Sequence, residues 1–219
     1  MAGVMVGRRG SVRHRFAGLA AVAPLVAAVL AAGGCAAVTE GPAPRPPLAD
    51  VVARLPAEAA GFARGVATDH ERERPGYGIG VGYATPSRTA VATVHVYDRG
   101  VPRVPDDPAA SAIEAELDRS VQEMLDVVPS RTGRSLVEQG RSTVPAAGGG
   151  GGPGLRCALL RGDYGRTPVV EHLCVGGAAG YFLKVQVTTD ARNASAIDPG
   201  AFIGEIARAA RGAGGRDRG

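Results

Sequence analysis

The chain has no tryptophan and few other large aromatics, with four Phe and five Tyr among 219 residues. Its core is therefore aliphatic, filled by Val, Leu, Ile and Ala. Lysine is nearly missing as well, since Lys184 is the only one. The remaining positive charge is arginine, and the bias toward Arg, Ala and Gly reads as GC-rich coding rather than selection for phosphate contacts. A net excess of basic charge is also lacking once the leader is set aside. Four of the 25 basic residues, Arg8, Arg9, Arg13 and Arg15, precede the first acid, and those that remain face 21 acidic ones. A neutral mature chain excludes an electrostatic grip on nucleic acid or a polybasic membrane surface.

Catalytic and cofactor signatures are lacking too. Five glycines run from Gly148 to Gly152 without the Lys-Ser or Lys-Thr of a phosphate-cradling loop, so they read as a flexible hairpin connection. His70, Glu71 and Glu73 stand close together in a charged stretch closed by Pro75-Gly76, which reads as a solvated loop rather than a metal site. No metal or cofactor is expected.

What is present begins with a leader. Residues 1–15 carry the four arginines, and an apolar run from Phe16 to Ala32 ends in Gly33-Gly34-Cys35, the layout of a secretory signal. Leu30-Ala31-Ala32-Gly33-Gly34-Cys35 resembles the lipobox of bacterial lipoproteins, which implies lipidation of Cys35 and a membrane contact through that lipid. Cleavage after Ala37 and retention of the leader as an apolar helix are the other fates it allows. The domain reading is a signal peptide over 1–34, a proline-rich tether over 35–48, one domain over 49–211 and a frayed tail over 212–219. Such a chain is exported and sits in the cell envelope, facing the periplasm or the cell exterior.

The domain centres on a hairpin from Tyr77 to Asp98. Tyr77, Ile79, Val81 and Tyr83 alternate with Gly78, Gly80 and Gly82, so one face of the first strand is bare backbone and invites close approach. In the second strand Ala92, Val94 and Val96 point inward, and Thr93, His95 and Tyr97 share the opposite face with Val91. These three form either a hydrogen-bonded patch or a ligand-binding face. Asp107-Pro108 predicts a helix start, and Ile113, Leu117, Val121, Met124, Leu125 and Val128 form its apolar stripe as far as Pro129, with Glu114, Glu116, Asp118, Arg119, Glu123 and Asp126 opposite. This helix is the expected cover for the glycine-lined strand.

Leu136–Val144, Leu155–Leu160, Val169–Val175 and Tyr181–Thr188 read as further strands, the last half exposed, and Asp198-Pro199 opens a C-terminal helix. Setting Asp163 opposite Pro168 and counting outward places Cys157 opposite Cys174, which suggests a disulfide in an exported protein; two reduced buried thiols are the alternative. The fold class is α+β, an antiparallel β-sheet with one long amphipathic helix and a C-terminal helix packed on it. The order of elements over residues 60–211 resembles that of PsbP-like domains, a family of α/β/α sandwiches. Three functions fit. One is a non-enzymatic envelope protein with a partner-binding or structural role. The second is a small-ligand binding domain using Thr93, His95 and Tyr97 or the cleft above Gly78, Gly80 and Gly82. The third is a hydrolase or redox enzyme around His172 and Cys174.

Overall fold

A computed structural model describes residues 44–127, 133–148 and 152–212. The leader with Cys35, Val128, Pro129, the middle of the glycine run and the tail from 213 lie outside the described residues. Among the described residues the chain is α+β. One antiparallel sheet holds β1 (Glu58–Ala59), β2 (Phe62–Asp69), β3 (Ile79–Ala84), β4 (Ala90–Tyr97), β5 (Arg134–Val144), β6 (Leu155–Tyr164), β7 (Thr167–Ala178) and β8 (Tyr181–Asp190). Their spatial order is β1-β2-β3-β4-β8-β7-β6-β5, so the long excursion after β4 returns as β8 in the middle of the sheet.

Strand alternation sends side chains to two cores. On one face Val81, Tyr83, Val94, Val96, Leu183 and Val185 meet α1 (Leu48–Ala53) and α3 (Pro199–Ala210). Phe62 and Phe202 pack there with ring centroids 4.5 Å apart. The Asp198 side chain accepts the Ala201 amide at the start of α3, and Pro199 occupies its first turn. Cys157 and Cys174 face each other across β6 and β7 and are bonded to one another inside this core. The hairpin that pairs them is tighter than the spacing suggested, because Tyr164 and Thr167 also pair and leave a two-residue turn.

The opposite face is roofed by α2 (Ser111–Gln122), whose Ile113, Leu117 and Val121 cover Ala158, Leu160, Leu173 and Val175. Several expectations change here. The long helix is a 12-residue α-helix that runs into a π-helical turn over Glu123–Val127. It starts at Ser111 rather than Pro108, because Asp107 is spent one turn earlier, accepting the Ala109 amide with its side chain and the Ala110 amide with its carbonyl. The helix lies over β6 and β7, not over the glycine-lined β3. Its Glu116, expected on the outer face, is only 2% exposed because Arg99 and Tyr97 provide its partners. β8 is not half exposed at its start, since Phe182 is buried under the α2 layer. Residues 45–47 of the stretch read as a tether lie against the domain. There Arg45 bonds Asp98 at 2.8 Å and stacks over the Tyr181 ring, while Tyr181 donates to the Pro46 carbonyl.

Candidate functional site

The β2–β3 connection, residues 70–78, is folded around one carboxylate. Glu71 accepts the amides of Gly76 at 2.9 Å and Gly78 at 2.7 Å. The His70 amide donates to the Gly78 carbonyl at 2.9 Å. Gly78 has φ +65°, and any side chain there would collide with the Val96 carbonyl, so the loop passes tight against β4. Glu71 is thus committed to loop backbone, which is why His70, Glu71 and Glu73 do not converge as metal ligands; no such cluster exists among the described residues. The loop instead carries His70, Arg74 and Tyr77 to the side of His95 and Lys184, over the interior strands of the sheet.

The glycines face imidazoles. A Cβ at Gly80 would stand 3.0 Å from His95 Cε1 and 3.5 Å from His70 Nε2, so a bare backbone at that position lets both rings sit down on β3. The two rings stack with centroids 6.1 Å apart. Gly80 pairs with His95, and His95 with Lys184, giving one row across β3, β4 and β8. Two adjoining cavities open along this row, of about 430 Å³ and about 320 Å³, and both are lined by Tyr77, Glu123 and Lys184. The larger adds Ser120, Met124, Leu173 and Gln186, and is mostly apolar. The smaller adds His70, Arg74, His95, Tyr97 and Arg99. The π-helical turn after α2 places Glu123 and Met124 at the rim, a helix irregularity of the kind that recurs at functional sites.

Burial sets the charge states. Desolvation pushes the His95 imidazole down to about 4, with the electrostatic influence of Lys184 and then of His70 acting the same way, so the ring is neutral at physiological pH. Desolvation also lowers Lys184 from its usual value, while Glu123 and Glu116 pull it back up and Arg99 lowers it. No carboxylate pairs with Lys184 among the described residues; its Nζ lies 5.6 Å from the centroid of the Tyr97 ring. Tyr97 is raised well above its usual value, first by burial and then by Glu116, to which its hydroxyl donates at 2.7 Å. Arg99 closes the wall, its Nε donating to both Glu116 oxygens at 2.9 and 3.0 Å and its outer nitrogen reaching Glu123 at 3.4 Å.

Of the three residues read as a ligand face, His95 lines the smaller cavity directly. Tyr97 also borders it, but is buried against Phe182 and serves the wall. Thr93 shares their sheet face, opposite Gln186, and borders neither cavity. Sequence reasoning missed Lys184, Tyr77, Glu123 and Arg99. The available signal was a solitary lysine in an apolar strand, and alternation alone assigned it to solvent. His172 does share a strand face with Cys174 and is lowered by burial and by Arg161. The Cys174 sulfur, however, is bonded to Cys157, so no thiolate stands beside that imidazole.

No protein-family model and no curated protein sequence matches the chain. Among solved structures, the solution structure of cyanobacterial PsbP (CyanoP) from Synechocystis sp. PCC 6803 is similar, with a TM-score of 0.41 and 12% identity over 64% of this chain and 86% of that one. An overlap this loose transfers neither residues nor activity. Among the described residues no helix is long and apolar enough to cross a membrane.

Proposed function

We propose that the chain is an exported small-ligand binding domain, held at the cell envelope by a lipid on Cys35, with its ligand in the cleft above Gly80, His95 and Lys184. The observation that carries this reading is the gap in the α2 roof. That face of the sheet is buried over β6 and β7, yet over β4 and β8, beyond Tyr97 and Phe182, it holds a partly buried row of imidazole, ammonium and amide groups beside an apolar cavity of about 430 Å³. Mostly apolar walls with a few convergent polar groups are what small-molecule sites share. Export is supported by the leader of residues 1–34 and by a buried disulfide, which persists in oxidising compartments.

The test is native mass spectrometry of the protein isolated from its own host, beside a Gln186→Trp variant that fills the larger cavity. A bound species of constant mass in the parent and its loss in the variant is the expected result. Parent and variant both running at the bare protein mass, with no added small molecule retained, would sink the proposal. The same spectrum reads the N-terminus: a diacyl or triacyl mass on Cys35 is expected, and a chain starting after Ala37 would refute the anchor.

A further inference from the structure

Resting on the cleft being a ligand site, the geometry points to an amphiphilic anion as its ligand, with a carboxylate or phosphate head at Lys184 and Arg74 and a hydrocarbon body against Met124, Leu173 and the Tyr77 ring. The charge inventory is the first support. Three cations line the two cavities, Lys184, Arg74 and Arg99, against the carboxylates of Glu123 and, behind the wall, Glu116. Both carboxylates are engaged by Arg99, and Glu116 also takes the Tyr97 hydroxyl and an ion pair from Arg119. Among the described residues Lys184 and Arg74 meet aromatic faces and no contacting carboxylate, the Tyr97 ring at 5.6 Å and the Tyr77 ring at 5.7 Å. A largely desolvated ammonium with no carboxylate in contact among the described residues, only the more distant Glu123 and Glu116, is costly, and an anion in the cleft supplies a contacting counter-charge. A cationic ligand would meet the same surplus as repulsion, and a neutral one would leave it unbalanced.

Shape is the second support. The polar groups gather in the smaller cavity, where neutral His95, with the His70 ring stacked beside it, can offer a ring N–H to the head without adding charge. The larger cavity continues from Lys184 toward Met124 and Leu173, and methionine adapts to irregular apolar bodies. One end recognises charge and the other recognises hydrocarbon, with Lys184 at the junction.

Calorimetric titration with four probes tests this: decanoate, decyl phosphate, decanol and inorganic phosphate. Decanoate and decyl phosphate are expected to bind at one per chain, with decanol about tenfold weaker or worse and inorganic phosphate weaker still. Lys184→Met is expected to weaken decanoate by about tenfold or more and to leave decanol unchanged. Arg74→Gln, on an exposed loop, should show a smaller loss of the same kind and stands in if Lys184→Met does not fold. Decanol binding as tightly as decanoate, or both variants binding decanoate like the parent, would overturn the anion while leaving the cleft intact. Inorganic phosphate matching decyl phosphate would overturn the hydrocarbon body. Failure of all four probes while a ligand still co-purifies would overturn the amphiphile. Failure of all four with nothing co-purifying would overturn the cleft as a site.

Discussion

Under α1 and α3 the sheet is covered from Phe62 to Cys174 by apolar side chains and a disulfide, whereas under α2 the cover reaches past β7 only at Phe182 and Tyr97 and leaves His95, Lys184 and Gln186 along the floor. The same strands serve both faces, so the contrast comes from the residues that alternate along β4 and β8. Val94, Val96, Leu183 and Val185 point to the closed face, and His95 and Lys184 point to the open one. One layer holds the fold and the other tolerates the unfavourable burial of an imidazole and an amine. The apolar layer and the cleft are thereby separated by the period of a strand.

The comparison breaks first if the closed face is not where stability resides. Phe202→Ala removes the ring that packs on Phe62 and Tyr83 and should cost about 4 kcal/mol. Urea unfolding measures it, and a loss below about 1 kcal/mol would mean that the closed layer is not the main core. Next in size, replacing Cys157 and Cys174 together by alanine opens a loop of sequence separation 17 and should cost about 3 kcal/mol. Because both sulfurs are buried in that layer, the parent should resist reduction until it unfolds, and rapid thiol labelling of the reduced native protein would contradict the burial.

The closed layer was legible in the sequence and the open one only in part, as the stripe of α2 and the His95 face, for a physical reason. Alternation of Val81 and Tyr83 with glycine, of Val94 and Val96 with polar residues, and the Asp198-Pro199 start each reflect burial or capping decided within a few residues. The Cys157–Cys174 register follows from one turn. The cleft depends instead on distant pieces meeting: His70 from a loop shaped by Glu71, Lys184 from a strand that returns to pair with β4, and Glu123 from a π-helical turn. Glu116 shows the same limit. Its helical position argues for solvent, and only Arg99 and Tyr97, on the far side of the β4–α2 connection, explain why it is buried.

A smaller effect should appear with pH on the open face. Above pH 6.5 His95 is neutral in both the folded and the unfolded chain. As pH falls from 6.5 toward about 4, the unfolded chain takes up a proton that the folded one refuses, so this contribution to stability is lost across that window. Its slope is at most about 1.4 kcal/mol per pH unit, and ordinary carboxylates do not yet titrate fully at pH 5. Unfolding at pH 7 and pH 5 should show a larger drop for the parent than for His95→Gln, in which Lys184 and His70 are unchanged neighbours. Equal drops would mean that the ring is not held neutral.

The smallest change, and the one of opposite sign, belongs to Lys184. Replacing it by methionine keeps an unbranched side chain one atom shorter, removes a desolvated ammonium that has no contacting carboxylate partner among the described residues, and leaves Val185 and Leu183 undisturbed on the closed face. The free energy of unfolding in urea should hold or rise, by about 1 kcal/mol at most, with an unchanged slope. Stability gained together with anion binding lost would place Lys184 in the cleft for its ligand and not for the fold, which sharpens the division between the two faces. A fall of about 2 kcal/mol or more would reverse it: the ammonium would then be supporting the Tyr97–Glu116–Arg99 wall, and the open face would be structural in the same sense as the closed one.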